Sequence, residues 1–407
     1  MASQPSPCGL LRVKLETGAG ITVDSEDSNP GVKAEALPRD PGIDLLRGLS
    51  IVLVVMHHVG LRIPLKAGVL AAFLPRWCLN ALIYNGSEAV FIFFVISGFL
   101  ITTHSLMRWG RLGSLDARAF YTRRVARILP PLLILVMVLS LLHLLGARDY
   151  AITKATQSLP RAILAALGLH LNWYEGLTGY LPGNWDVLWS LSIEELFYLG
   201  FPLLCLGLRR RRFLVPVLAL LALSLPLTRA ALAGNPIWQE KATLPGMAAI
   251  ATGVLAAILG AAWRPTRAWV PGLLRALGWA GLVAVLCFED RLWSRLGNGT
   301  LLLLTGGTAL LLLGFHWRPL AAAPGWRLAW LRSFGRLSYE VYLTHMFIVW
   351  PVVRAYKAYG HGPRWGILWY LPALALAWWL GWLVARYLST PSERWLRRRL
   401  TPVERPG

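Results

Sequence analysis

Ionisable side chains stand inside long apolar stretches of this chain, where they are expensive unless they serve a site. The stretch DLLRGLSIVLVVMHH, Asp44 to His58, carries Arg47, His57 and His58. At about 100° per residue, the eleven steps from Arg47 to His58 bring both onto one helix face, roughly 16.5 Å apart along the axis. His57 points about 80° away from Arg47, so His58 is the residue expected to look into the same cavity. Asp44, one turn earlier, is placed to pair with Arg47. An imidazole in such a place can take a proton from a hydroxyl near neutral pH. The plainer alternative makes Arg47 a flanking topology charge and the histidines satisfied core residues.

Three further clusters follow. In WSLSIEELFY, Trp189 to Tyr198, the residues Ser190, Glu194 and Tyr198 fall on one helix face, with Ser192 and Glu195 as a neighbouring pair. Two adjacent carboxylates entering an apolar helix need hydrogen bonds, a cation or a proton, unless they merely start the helix in interfacial water. In SYEVYLTH, Ser338 to His345, the residues Ser338, Tyr342 and His345 form one polar face. His345 is either a structural hydrogen-bonder or part of a site. In FYTRRVARILPP, Phe120 to Pro131, Arg123 and Arg127 share a face, and guanidinium forks suit phosphate. On spacing alone these arginines read as plain topology charge.

The elements that must hold these groups are set by composition. Of 407 residues, 56% are hydrophobic and only 15% charged, against about 25% charged in an ordinary soluble domain. The apolar residues come in repeated long runs that a soluble fold has no means to bury. A soluble enzyme, a disordered protein and a disulfide scaffold are excluded. Continuous rather than alternating runs mean helices, not barrel strands. About ten membrane spans are expected, near 43–61, 84–107, 129–146, 187–208, 213–232, 243–263, 270–288, 299–316, 338–355 and 366–388. The fold class is therefore all-α, a polytopic membrane helical bundle over 41–390. Residues 158–172 are too short a run to span and are expected to be re-entrant or interfacial. The TGGTA stretch, Thr305 to Ala309, is expected to serve close helix contacts rather than a ligand.

The net charge of +21 does not call for nucleic acid, because most arginines sit in short loops between spans. One set of loops, with Arg108–Arg127, Arg209–Arg212, Arg264–Arg275, Arg318–Arg336 and Arg394–Arg405, carries roughly twice the basic residues of the other. The positive-inside rule puts that side, and both termini, in the cytoplasm. Residues 1–40 lack an apolar core and read as a disordered cytoplasmic tail, not a signal peptide. Residues 391–407 read as a basic cytoplasmic tail. Cys8, Cys78, Cys205 and Cys287 show no metal-ligand spacing, so no metal is expected. No nucleophile-elbow, zinc-protease or phosphate-loop pattern stands in a strand–turn–helix context.

Taken in order, these pieces resemble the acyltransferase-3 family of integral-membrane O-acyltransferases, which includes O-antigen and polysaccharide O-acetylases. The resemblance rests on Arg47 and His58, FFVISGFLI at Phe93–Ile101, FYTRRVARILP from Phe120, WSLSIEELFYL at Trp189–Leu199 and SYEVYLTH at Ser338–His345. It covers roughly residues 40–390. It implies acyl-CoA, with acetyl-CoA the expected co-substrate, reaching the bundle from the cytoplasm. The acyl group would pass to a hydroxyl, mostly of a surface-polysaccharide sugar and occasionally of a macrolide or other small molecule. By the same carry-over His58 is the leading catalytic residue and Arg47 its same-helix partner. Arg123, Arg124 and Arg127 match the donor-side basic motif, and Glu194, Glu195 and His345 match further polar motif positions. Leu196 stands where the family usually has Gln, which removes a side-chain hydrogen bond there. No soluble hydrolase-like domain follows the last span, so transfer is expected to be completed within the membrane domain.

The mechanism this implies sets a coenzyme A nucleotide on Arg123, Arg124 and Arg127 and brings the thioester to His58. Neutral His58 takes the proton of the attacking hydroxyl, with Glu194 or Glu195 orienting the ring. A two-step route with the acyl group on His58 is equally allowed. The expected partners are acyl-CoA, a glycan or lipid-linked saccharide acceptor and membrane lipid, in an inner or plasma membrane. The competing class is a transporter or flippase, in which buried His, Glu and Arg relay protons without covalent chemistry. That class is signalled by an internal repeat, and span six has no counterpart to the histidines of span one.

Overall fold

The computed structural model describes residues 39–320, 328–359 and 362–400. The tail expected over residues 1–40 lies outside the described residues except for Arg39 and Asp40, as do residues 401–407 of the C-terminal tail. Among the described residues every regular element is a helix.

The bundle begins where capping chemistry says it should. The Asp40 carboxylate accepts hydrogen bonds from the Gly42 and Ile43 amides at 2.7 and 3.4 Å, and Pro41 occupies the first turn. Both features suit a helix start, because the first amides have no partner inside the helix. The helix that follows, α1 (Pro41–Gly60), has 20 residues and so rises about 30 Å, the thickness of a bilayer's hydrocarbon core. After it come α2 (Gly86–Trp109), α3 (Ala117–Leu144), the short α4 (Leu171–Thr178), α5 (Leu188–Gly207) and α6 (Arg211–Leu223). The chain continues through α7 (Pro236–Lys241), α8 (Thr243–Ala262), α9 (Val270–Leu296) and α10 (Thr300–Trp317). It ends in α11 (Ala329–Arg336), α12 (Ser338–Thr344), α13 (Met346–Tyr359), α14 (Tyr370–Val384) and α15 (Thr390–Leu400).

Eight helical stretches among the described residues are long and apolar enough to cross a membrane, against about ten expected. Two of the expected spans account for the difference. Val270–Trp317 is a single 48-residue stretch, and it contains both 270–288 and 299–316. Its halves α9 and α10 pack together on either side of the Gly297–Gly299 turn. The expected span 338–355 is divided at His345 into α12 and α13, of seven and 14 residues. Residues 158–172 form no span, only the nine-residue helix Leu159–Leu167 and the start of α4.

Lipid tails give helices no hydrophobic reason to associate, so close packing must do it. At the crossing of α2 and α8, a side chain on Gly98 would strike the Ile250 carbonyl, and one on Gly253 the Val95 carbonyl. Where α9 meets α10, a side chain on Gly278 would strike the carbonyl of Gly307, in the TGGTA stretch. The core of the bundle lies among α1, α2, α5 and α8, where Ile51, Val55, Phe94, Val95, Ala249 and Val254 are fully buried. By contrast α3 and α6 turn apolar side chains such as Met137, Leu144, Leu220 and Leu223 outward, as helices bathed in lipid do.

Candidate active site

Two cavities lie end to end between α1, α2, α5 and α12. The larger, about 150 Å³, is lined by Arg47 of α1, Ser97 and His104 of α2, and Arg124 and Arg127 of α3. Ser190, Glu194, Glu195 and Tyr198 of α5 and Ser338 and Tyr342 of α12 complete its polar wall. The smaller, about 40 Å³, is lined by His57 and His58 of α1, Ser87 of α2, Asp186, Trp189 and Glu240. Val90 and Tyr342 belong to both walls.

Tyr342 is fixed in that dividing position by a short chain of bonds. The Ser190 hydroxyl donates to Tyr342 Oη at 2.7 Å, and Tyr342 donates on to the Val187 carbonyl at 3.0 Å. The polar face expected along Ser338, Tyr342 and His345 is therefore real: its two ends meet α1 and its middle meets α5. Arg47 Nε donates to Ser338 Oγ at 3.1 Å. His345 sits at the break between α12 and α13, wholly buried, with its ring centroid 5.1 Å from that of His58. Its Nδ1 is 2.8 Å from the Tyr342 carbonyl oxygen, an acceptor, so Nδ1 carries the proton. Nε2 is then a bare lone pair, and it has no hydrogen-bond partner among the described residues. His57 is held likewise, Nδ1 to the Ile83 carbonyl at 2.8 Å, with its ring centroid 5.3 Å from that of His58.

Several sequence expectations need correction. Arg47 and His58 share a helix face but not a cavity, because the Tyr342 wall falls between them. Arg47 bonds to Ser338 rather than forming an ion pair with Asp44. Glu194 and Glu195 face the larger cavity with Arg47 and Arg124, so neither orients the His58 ring; His345 stands beside it instead. Glu195 Oε1 is buried there with no hydrogen-bond partner among the described residues, a group suited to meet a ligand. Ser192 bonds to the Leu188 carbonyl and the Leu171 amide and not to Glu195. On α3 it is Arg124 and Arg127 that line the cavity, while Arg123 turns to Trp109, 6.0 Å from its ring centre. The Arg124 guanidinium lies 4.3 Å from the centre of the Tyr198 ring. Leu196 is exposed and lines neither cavity, so the missing amide does not bear on the site.

An arrangement with imidazoles at one end, arginines at the other and a narrow waist between is what a two-substrate transfer needs. A profile of an acyltransferase domain matches residues 40–397, nearly the whole described bundle. The chain belongs to the acyltransferase-3 family. The O-acetyltransferase OatA of Staphylococcus aureus strain NCTC 8325 / PS 47 is 29% identical over 182 residues, 42% of this chain and 25% of OatA. OatA of strain COL matches to the same extent. A protein of strain N315, named provisionally as an O-acetyltransferase, is 30% identical over 176 residues, 41% of this chain and 25% of that protein. The chain thus spans about a quarter of the length of the curated relatives it matches. No solved structure matches it significantly.

Sequence reasoning missed part of this acyltransferase-3 site. Ser87, Ser97 and His104 carry no spacing signal on α2. Asp186 and Glu240 line the His58 cavity, and Lys241 is buried behind them. Lys241 Nζ bonds to Glu175 Oε2 at 2.9 Å and to Asp186 Oδ1. The signal was available: two acids and a lysine bordering apolar runs must be paired if buried. What sequence did not supply was the pairing itself.

Proposed function

We propose that this membrane protein is an O-acyltransferase that moves an acyl group, expected to be acetyl, from acyl-CoA to a hydroxyl of a glycan. The observation that carries the reading is the pairing of wholly buried His345 with half-buried, cavity-lining His58 beside the waist between the two cavities. Membership of the acyltransferase-3 family and the name of the OatA relatives support the same chemistry.

In this reading the larger cavity takes the donor. At about 150 Å³ it suits the acyl-thioester end alone, since pockets for drug-sized molecules run to about 300–1,000 Å³. The nucleotide then stays at the mouth, where exposed Arg127 and half-buried Arg124 offer guanidinium forks to its phosphates. The smaller cavity takes the acceptor hydroxyl. On acceptor binding His345 Nε2, bare in this structure, takes the N–H of the adjacent His58 ring and so leaves the other His58 nitrogen as the base. That nitrogen takes the hydroxyl proton as the oxygen attacks the thioester carbon. A carbon–oxygen bond forms, the carbon–sulfur bond breaks, and the proton passes to the departing thiolate. A route through an acyl-His58 intermediate uses the same groups in two steps.

Counting the α9–α10 hairpin as two passes and α12–α13 as one gives ten passes, with both termini cytoplasmic by the positive-inside rule. The donor cavity then faces the cytoplasm and the acceptor cavity the far side of an inner or plasma membrane. The acceptor is a sugar of a surface polysaccharide, or its lipid-linked precursor. His58→Ala in purified protein is expected to abolish transfer from acetyl-CoA while leaving acetyl-CoA binding intact. Unchanged turnover would end this assignment.

A further inference from the structure

The smaller cavity contains more chemistry than a general base requires. Beside His58 it presents two carboxylates, Asp186 and Glu240, and the ring of Trp189. Each carboxylate is held from behind. Lys241, 2% exposed in its side chain, takes Asp186 Oδ1 and also binds the fully buried Glu175. That leaves Asp186 Oδ2 for the cavity, and the Asp186 side chain is 22% exposed. Tyr180 Oη donates to Glu240 Oε2 at 3.2 Å.

A further polar group beside these acids lacks a partner among the described residues: Ser87 Oγ, on the cavity wall, is buried without a hydrogen bond. Buried polar atoms in a folded protein are normally paired, so an orphan on a cavity wall points to a missing polar ligand. Two cations beside the cavity are engaged elsewhere. Lys241 is spent on two acids, and Arg62 donates to the His58 carbonyl at 2.7 Å and lies 4.3 Å from the centre of the Trp350 ring. Among the described residues the wall of the cavity itself holds Asp186 and Glu240 and no arginine or lysine.

We propose that Asp186 and Glu240 are specificity-determining residues that grip neighbouring hydroxyls of the acceptor beside His58 and select neutral or cationic sugars over anionic ones. Ionised carboxylates accept from vicinal hydroxyls in pairs, and Trp189 offers an apolar face to the sugar ring. An acidic sugar brings a like charge to a cavity lined, among the described residues, by two carboxylates and no arginine or lysine, which disfavours it. This rests on the acyl-transfer reading above.

The test uses full-length protein in detergent with acetyl-CoA and three amphiphilic acceptors: octyl glucoside, octyl glucosaminide and octyl glucuronide. Wild-type kcat/KM is expected to be at least about tenfold lower for the glucuronide than for the other two. Asp186→Asn and Glu240→Gln are each expected to raise acceptor KM about tenfold or more, the worth of a hydrogen bond to a charged group, with acetyl-CoA KM unchanged. The double variant is expected to narrow the discrimination against the glucuronide. Asp186→Asn leaves Lys241 its bond to Glu175, so the variant is expected to fold, which its melting in detergent checks. Equal use of all three acceptors, or variants that shift donor KM alone, would overturn the proposal. So would wild-type protein that releases thiol from acetyl-CoA but acylates none of the three. Protein that releases no thiol at all overturns the acyl-transfer reading itself.

Discussion

His345, at the break between two helices near the end of the chain, lies with its ring centroid 5.1 Å from that of His58 in the first helix. Its proton is committed to the Tyr342 carbonyl, so only Nε2 is left to meet the His58 ring. A positioning imidazole of this kind acts on the chemical step and not on donor binding. His345→Ala is expected to lower kcat by about 10²–10⁴-fold, the usual range for a lost acid–base contribution, with acetyl-CoA KM within about twofold. His345→Gln, whose amide oxygen can still accept from His58, is expected to recover part of that loss. Thiol release under saturating donor measures both, and a change confined to donor KM would contradict the role.

Arg124 and Arg127 line the larger cavity whereas Arg123 turns towards Trp109. A charged hydrogen bond is worth about 1.5–3 kcal/mol, which is roughly 10–150-fold in affinity. Arg124→Ala and Arg127→Ala are each expected to raise acetyl-CoA KM within that range. Arg123→Ala is expected to change it by no more than about threefold. Equal effects at all three positions would mean that the basic surface attracts the donor by net charge alone.

Tyr342 holds the wall between the cavities through Ser190 and the Val187 carbonyl. Tyr342→Phe keeps the ring and removes both bonds, leaving a hydroxyl and a carbonyl without partners at a cost of about 1–3 kcal/mol. A lower melting temperature in detergent is expected, with acetyl-CoA KM little changed. Unchanged melting would show that the bonds from Ser190 to Val187 contribute nothing to stability.

Helical periodicity explains which parts of this arrangement were legible in advance. Ser190, Glu194 and Tyr198 do line one cavity together, and Ser338, Tyr342 and His345 do form one working face, because residues on one helix keep a fixed angular relation. The same arithmetic put Arg47 and His58 on one face and still misjudged their surroundings. A face 16.5 Å or so long passes more than one neighbour, and Tyr342 from a distant segment closes the gap between them. Likewise the choice between Arg123 and Arg124 depends on how α3 rotates against α2 and α5, which no pattern within α3 records. His345 as neighbour of His58, and Lys241 as partner of Glu175 and Asp186, are contacts between segments far apart in the chain. Composition required such charges to be paired without saying with what.

That last triad yields a stability prediction independent of the chemistry. Lys241 and Glu175 are essentially inaccessible, and Lys241 pairs with both Glu175 and Asp186. Lys241→Met fills much the same space but leaves two carboxylates without their cation. Removing one partner from a buried ion pair typically costs about 3–5 kcal/mol, so the variant is expected to melt far below wild type or fail to accumulate in membranes. Adding Glu175→Gln and Asp186→Asn to Lys241→Met removes the charges that were stranded. Because neutral replacement of a whole buried ionic group is often tolerated, the triple variant is expected to regain most of the lost stability. Melting in detergent, followed by intrinsic fluorescence, compares the three proteins. A triple variant no more stable than Lys241→Met would show that Lys241 stabilises the bundle by its packing rather than by its charge.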